Sequence, residues 1–593
     1  MPRPLRLLLP ALGLLGVSTL APVAFPQAAT GADAHGYSYG PHPRQRLDAY
    51  WDEPESGPQP GIVLVHGGYW NGGTRASWKA TAEWFAEQGF AVFSIDHRRT
   101  ADAAWPAPRD DLYRAITWIK THARTFRLDR NRLAVIGSQG GGHLAVHAAT
   151  HATGRARVRA AVGLSAVSSP QRAYEQAQST AASAARRLVR DEAVLLANCT
   201  PLDRERYCLA RFRDMNAASH AGRRDAPLLL FHSRGDVVPA SQSHALRKAL
   251  AGAGSRDVTV RVVPGSATGG ALLSQDDVRS QVLRWVRART LERAASLILD
   301  TPPAEDASVR GERDPSRSSD DDGHTTTAPR EAMAAGQREV PYAYGPHARH
   351  RLTAYYLRRR TRQPAVVLLH GGYWYEGDRS SFATFARHLV GHGYAVFSIN
   401  YRLNTQAGWH AQRSDVHRAL RWIRSRAASF SVNPGRIVLV GNSAGGHLAT
   451  SVGVHGTGTR HVRAVAALSP VADPYRAYQD GQRRGAGTAK RKLRDTAVLL
   501  ARCAPPHSDT TCRRRWNDLA SHQHAGAGDT PMFLVHARGD FVPPAHSARL
   551  CRALRAASVR CTQLTVPGGD HGLTLLTQAR VRDRLVRWLK AHD

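Results

Sequence analysis

Long apolar runs are missing from this chain of 593 residues. Apart from Leu7 to Ala24, no segment approaches the roughly 20 consecutive apolar residues that a membrane-spanning helix requires. Pro10 and Pro22 interrupt that one stretch, so a helical membrane protein is not expected. Negative charge is also scarce: 47 acidic residues against 81 basic ones leave a net charge of +34. Lysine is scarcer still, with six in the whole chain. A field of this size would let the protein adsorb to an anionic cell envelope or another polyanion. The arginines, however, are scattered over expected helices and loops. With no basic-aromatic stripe and no nucleic-acid motif, specific nucleic-acid binding is not expected, and the charge reads as a solvated surface. Companions for the histidines are lacking too: His522 and His524 read as surface residues without carboxylate or thiol partners at ligand spacing. No metal and no organic cofactor is implied.

Cysteine is sparse but ordered. Cys199 and Cys208 stand at the same spacing as Cys503 and Cys512, and Cys551 and Cys561 make a third candidate pair. An even count at repeated spacings favours disulfides over zinc, whose structural sites usually want two close CxxC-like pairs. The N-terminus fits that compartment. Arg3 and Arg6 precede the apolar stretch, and small residues around Ala32-Asp-Ala34 suit signal peptidase, so residues 1–34 read as an export signal. Cleavage is expected between about residues 24 and 34.

The length suggests two or three domains, at roughly 100–250 residues each. An internal repeat decides for two. His66 and His370, Gly137 and Gly441, Cys199 and Cys503, and Asp236 and Asp540 all differ by 304 positions, which is economically explained by duplication of a whole domain. The first domain is expected over 35–297 and the second over 341–593. Between them, 298–340 contains a Pro-, Ser-, Asp- and Arg-rich stretch with almost no large apolar residue, which reads as a flexible linker.

Within each half, apolar β-branched runs alternate with amphipathic stretches. Ala365–Leu369, Ala395–Ile399, Ile437–Val440, Ala464–Leu468 and Met532–Val535 read as strands, and Ser414–Arg426 as a helix. Continuous apolar strands separated by helices predict a mostly parallel sheet covered on both faces, with chemistry in the loops at the carboxyl ends of the strands. In the second half four special loops fall there: HGGYW (His370–Trp374), GNSAGG around Ser443, ARGDFVPP with Asp540, and VPGGDHG with His571. Glycines in the first leave backbone N–H groups free for a developing oxyanion. The second is a G-x-S-x-G turn that exposes its serine, and the order Ser, Asp, His is that of a hydrolase triad.

These motifs, with YGPHARHRLTAYY (Tyr344–Tyr356), SINYRL (Ser398–Leu403) and NPGRIVLVGNSAGGHLA, carry a resemblance. Both halves resemble the α/β-hydrolase fold. The second is similar to HGG-type carboxylesterases of the hormone-sensitive-lipase-like and feruloyl-esterase-like branch, and HGGYW also resembles the motif of kynurenine formamidases. The resemblance implies two tandem α/β-hydrolase domains. It implies Ser443 as nucleophile, His571 as base, Asp540 as its orienting acid, and the N–H groups of Gly372, Tyr373 and Ala444 as an oxyanion hole. Tyr373 replaces the third glycine of the commoner HGGG form, which keeps a backbone donor. The segment Ser469–Thr530 is expected to cover the cleft, with Trp374, Tyr375, Tyr401 and Trp409 near its mouth.

The first half keeps HGGYW (His66–Trp70) and Asp236, but has Gln139 at the serine position and Thr268 at the histidine position. Neither side chain can fill the lost role, and Ser138 is one residue away from the exposed position of the turn. The first domain is therefore expected to be catalytically inactive. Three functions remain in view: a secreted serine esterase acting on small-molecule esters, an amidase or formamidase, and a non-catalytic binding protein of the cell envelope.

Overall fold

The computed structural model describes residues 35–52, 57–179, 181–202, 206–255, 257–291, 336–456, 460–505 and 510–593. The expected export signal lies outside them, as does most of the expected linker. The first sheet comprises β1 (His35–Ser38), β2 (Arg46–Tyr50), β3 (Gln59–Val65), β4 (Ala91–Ile95), β5 (Leu128–Ser138), β6 (Ala160–Leu164), β7 (Leu228–Ser233) and β8 (Val258–Val263). The second repeats it with β9 (Arg338–Ala343), β10 (Arg351–Tyr356), β11 (Gln363–Leu369), β12 (Ala395–Ile399), β13 (Val432–Asn442), β14 (Ala464–Leu468), β15 (Met532–Ala537) and β16 (Cys561–Val566). Strand orders are β1-β2-β4-β3-β5-β6-β7-β8 and β9-β10-β12-β11-β13-β14-β15-β16. The two outer pairings at the β1 and β9 edges are antiparallel, and all others are parallel.

The central strands are apolar along their whole length because helices cover both faces of each sheet, so neither side of the pleat meets water. Every residue of β3, β4, β12 and β14 is buried. Register then sets the site. Leu369, the last residue of β11, pairs with Gly441 of β13, and Asn442 pairs with Leu468 of β14. The loops leaving these strands thus emerge side by side at one edge of the sheet.

The helix expected over Ser414–Arg426 spans Ala411–Ser425. Strand β9 begins at Arg338, inside the span expected to be linker, and pairs Arg338 with Tyr356 and Val340 with Ala354. An edge strand with alternating exposure carries too weak an apolar signal to be told from a linker. The covering segment forms helices Pro474–Asp480, Thr488–Ala501 and Thr510–Leu519, and its first-domain counterpart forms Pro170–Gln176, Ala184–Ala197 and Arg206–Met215. Disulfides Cys199–Cys208 and Cys503–Cys512 close the last loop of each, and Cys551–Cys561 ties a helix to β16. The two domains meet through these covers: Ala184–Ala197 packs on Thr488–Ala501. One apolar cluster runs through both domains. No helix among the described residues is long and apolar enough to cross a membrane.

Glu192 is buried at the centre of the first cover, accepting from Asn71 Nδ2 at 2.9 Å and Thr100 Oγ1 at 2.8 Å. Burial pushes its pKa up to about 8, against the two hydrogen bonds that favour its charged form. A carboxyl whose pKa is raised on folding binds more protons in the native state than in the unfolded one. Its contribution to stability is therefore full below pH 4.5 and lost as pH rises towards 8, at about 1.4 kcal/mol per pH unit. Glu192→Gln is expected to raise the thermal midpoint at pH 8 and to change it little at pH 5. Equal shifts at both pH values in calorimetry would contradict this.

Candidate active site

Ser443 joins β13 to the helix Ala444–Gly453 at φ 52° and ψ −117°. This left-handed backbone is unusual for a non-glycine residue and persists only where the surroundings over-determine it. They do so here by close packing. A Cβ on Gly445 would lie 2.1 Å from the Leu369 carbonyl oxygen, so only glycine lets the turn approach the end of β11. Ser443 is 5% exposed, and no hydrogen bond links its Oγ to His571 Nε2 among the described residues. Such contacts are often long in unliganded enzymes and tighten around substrate.

Asp540 follows β15 and His571 follows β16. Asp540 Oδ1 accepts from His571 Nδ1 at 2.7 Å and from the Val542 N–H at 2.9 Å. This arrangement places the imidazole proton on Nδ1 and leaves Nε2 able to accept one. Burial alone would raise the Asp540 pKa, but His536 and His571 outweigh it and hold the carboxyl below its usual range. Gly572 N–H donates to Ser469 Oγ at 3.0 Å, which pins the histidine loop to the end of β14.

The HGGYW loop adopts φ 108° at Gly372, 55° at Tyr373 and 57° at Trp374. A Cβ on Gly372 would sit 2.3 Å from the Glu376 carbonyl oxygen. On Gly371 it would lie 3.2 Å from Ser443 Cβ, so this loop lines the Ser443 turn. Ala444 opens the helix after Ser443, where first-turn N–H groups have no partner within the helix. The sheet therefore brings together Ser443, the Asp540–His571 pair and the backbone of Gly372, Tyr373 and Ala444.

The aromatic residues expected near the mouth are buried and not open to it. Trp374 and Tyr401 are fully buried, and Tyr375 and Trp409 nearly so. Trp374 Nε1 donates to His447 Nδ1 at 3.0 Å, and His447 Nε2 donates to the Leu519 carbonyl at 2.8 Å. Tyr401 OH donates to the His370 carbonyl at 2.7 Å. Trp374 and Tyr401 hold the loop from behind because the indole and the phenol each find a buried acceptor there. The ring beside the Asp540–His571 pair is Phe541, 4.1 Å from that of His571, with Tyr373 6.0 Å further on. Tyr373 belongs to HGGYW, and Phe541 follows Asp540 within ARGDFVPP.

Two histidine expectations also change. His524 Nε2 lies 3.6 Å from Asp518 Oδ1, and His455 Nε2 lies 3.1 Å from the same atom, so a carboxylate companion does exist. His455 is 63 positions from Asp518, and folding alone brings the two together. Arg413 already supplies positive charge to this cluster, donating to His455 Nε2 at 2.6 Å and to Asp518 at 3.3 Å. His522 faces Asp473 at 3.8 Å.

In the first domain, Gln139 has the same backbone as Ser443, φ 50° and ψ −109°. Its Oε1 accepts from the Gly68 N–H at 2.9 Å, and its Nε2 donates to Tyr69 OH at 3.1 Å. Gly68 is the counterpart of Gly372, so a tethered amide carbonyl sits on the donor assigned to an oxyanion. Thr268 donates to Asp236 Oδ1 at 2.8 Å, and Ser165 to Asp236 Oδ2 at 2.5 Å. Ser138 Oγ is turned to the Gly270 N–H at 2.9 Å.

The sequence profile of the BD-FAE family matches residues 47–250 and 355–554. The chain belongs to the BD-FAE family. Its two domains are tandem α/β-hydrolase domains, each carrying one of the two matches. Among curated relatives, esterase LipC of Mycobacterium tuberculosis is 30% identical over 226 residues, covering 37% of this chain and 55% of that protein. Esterase LipQ of the same organism is 27% identical over 269 residues, covering 44% and 62%. The chain thus spans little more than half the length of these relatives. Among solved structures, esterase B from Lactobacillus rhamnosis aligns over 44% of this chain and 87% of its own, with 23% identity and a TM-score of 0.38.

The Trp374–His447 bond joins the HGGYW loop to the helix after Ser443. Trp374→Phe is expected to cost about 1–3 kcal/mol by leaving His447 Nδ1 buried without a donor. Urea denaturation checks this, and an unchanged unfolding free energy would show that the bond contributes nothing.

Proposed function

We propose that this BD-FAE family member is a secreted serine carboxylesterase that hydrolyses small-molecule esters in its second domain, while its first domain turns over no substrate. The observation that carries the reading is the Asp540–His571 hydrogen bond of 2.7 Å beside the strained turn of Ser443. His571 Nε2 takes the serine proton as Oγ attacks the ester carbonyl, and Asp540 stays ionised and stabilises the imidazolium. The tetrahedral oxygen receives hydrogen bonds from the N–H groups of Gly372, Tyr373 and Ala444. His571 then protonates the departing alcohol, and water activated by the same imidazole releases the acid from Ser443. In the first domain no group supplies the nucleophile or the base, and Gln139 Oε1 covers one donor.

The curated relatives named as esterases support the reaction class. Three disulfides support export, since such bonds persist in oxidising compartments.

Ser443→Ala in the full-length protein is expected to lower p-nitrophenyl butyrate hydrolysis about 10^4-fold, with Gln139→Ala unchanged. Residual turnover in Ser443→Ala would return activity to the first domain. Turnover of N-formylkynurenine with none of aryl esters would replace the esterase reading by the formamidase one. Mass spectrometry of the exported protein is expected to find a mature N-terminus between about residues 24 and 34. A full-length chain retained inside the cell would contradict export.

A further inference from the structure

The two covers pack about a pseudo-two-fold axis, as in a dimer of identical subunits. Arg502 Nη1 donates to Asn198 Oδ1 at 3.0 Å, and these residues are counterparts 304 positions apart. Tyr174 OH of the first domain donates to Asp495 at 2.6 Å, and its counterpart Tyr478 donates back to Asp191 at 2.7 Å. Each aspartate is buried and paired with the arginine before it, Arg494 or Arg190. A residue meeting its own counterpart and a pair meeting in reciprocal order are the marks of an isologous interface.

The two sides of this interface are not held equally. Asp495 also accepts from Thr200 Oγ1 at 2.8 Å, and Arg494 donates to Gln178 Oε1 at 3.2 Å. On the mirrored side Ala504 replaces Thr200, and Arg190 Nη2 has no hydrogen-bond partner among the described residues. The first domain thus grips the second domain's helix more fully than it is gripped in return.

That helix, Thr488–Ala501, leads to the site. Its Lys492 Nζ bonds Glu376 Oε1 at 3.1 Å and lies 5.0 Å above the Tyr373 ring. Its Thr496 carbonyl accepts from Asn404 Nδ2 at 2.9 Å, and the Asn404 N–H donates to the Trp374 carbonyl at 2.7 Å. Lys492 and Glu376 correspond to Leu188 and Gly72, so this ion pair exists only beside Ser443.

We propose that the first domain is a positioning element for the second domain's site. Tyr174, Thr200 and Gln178 fix the Arg494–Asp495 pair, and the helix carries that constraint to the oxyanion loop through Lys492 and Asn404. This rests on Ser443 being the catalytic serine. None of the three first-domain residues touches substrate; each acts through the helix.

The test uses the full-length chain with Tyr174→Phe, alone and with Thr200→Val, and Tyr478→Phe as the mirror control. Acetylation of Lys492 is followed by mass spectrometry against exposed Lys79, and kcat for p-nitrophenyl butyrate is taken per serine titrated with a phosphonate. The Tyr174 variants are expected to raise Lys492 labelling about threefold and to lower kcat about tenfold with little change in KM, the signature of lost transition-state contacts. Tyr478→Phe is expected to change neither. Unchanged Lys492 labelling in the double variant, or an equal rise in the mirror variant, overturns the proposal. A wild type without turnover overturns the esterase reading instead, and the labelling still reports the coupling.

Discussion

The close approach of a glycine turn to the end of one strand governs the rest of this molecule. Gly445 can sit against the Leu369 carbonyl because it has no side chain, and Gly441 lies as close to the carbonyl of Gly445. That contact forces residue 443 into the left-handed region and presses the start of the following helix against the loop leaving β11. The turn at Ser443, the helix N-terminus and the placing of the loop N–H groups are consequences of one packing constraint. In the first domain Gly141 makes the same approach to the Val65 and His66 carbonyls, although the residue presented there is a glutamine. The turn is thus kept by packing whether it presents serine or glutamine.

Most of the architecture was legible because it depends on local pattern. Continuous apolar runs gave the central strands, and the offset between the halves gave the duplication. That Ser443, Asp540 and His571 each follow a strand was legible from their loops. The wrong assignments share a cause. Trp374, Tyr401 and Trp409 carry polar tips, and the side of the loop they occupy depends on where His447, the His370 carbonyl and Asp518 lie after folding. Likewise His455 meets Asp518 and His524 only in three dimensions. Strand β9 was hidden because an edge strand with four of its six residues exposed has little hydrophobic periodicity.

Between the domains, buried ion pairs sit where apolar residues would pack at lower desolvation cost. Such pairs contribute little net stability, but removing one partner strands a charge, so they tolerate few alternative arrangements. The hydroxyls of Tyr174 and Tyr478 are kept protonated, since burial and then the adjacent aspartates raise their pKa values. They therefore remain donors throughout the ordinary pH range. The apolar cluster supplies attraction between the domains, and the Arg–Asp–Tyr sets supply their register.

Gln139 closes its own turn from within. With its amide carbonyl on the Gly68 N–H, the side chain is a ligand that cannot leave, and Thr268 donates to the carboxylate whose counterpart in the second domain meets His571. Serine placed at 139 alone would meet no histidine on the facing loop, and histidine placed at 268 alone would face a side chain already tethered across the turn. Under the proposed reading the two positions are therefore coupled: the space each would need is held by the hydrogen bonds of the other, and only a paired exchange would open it.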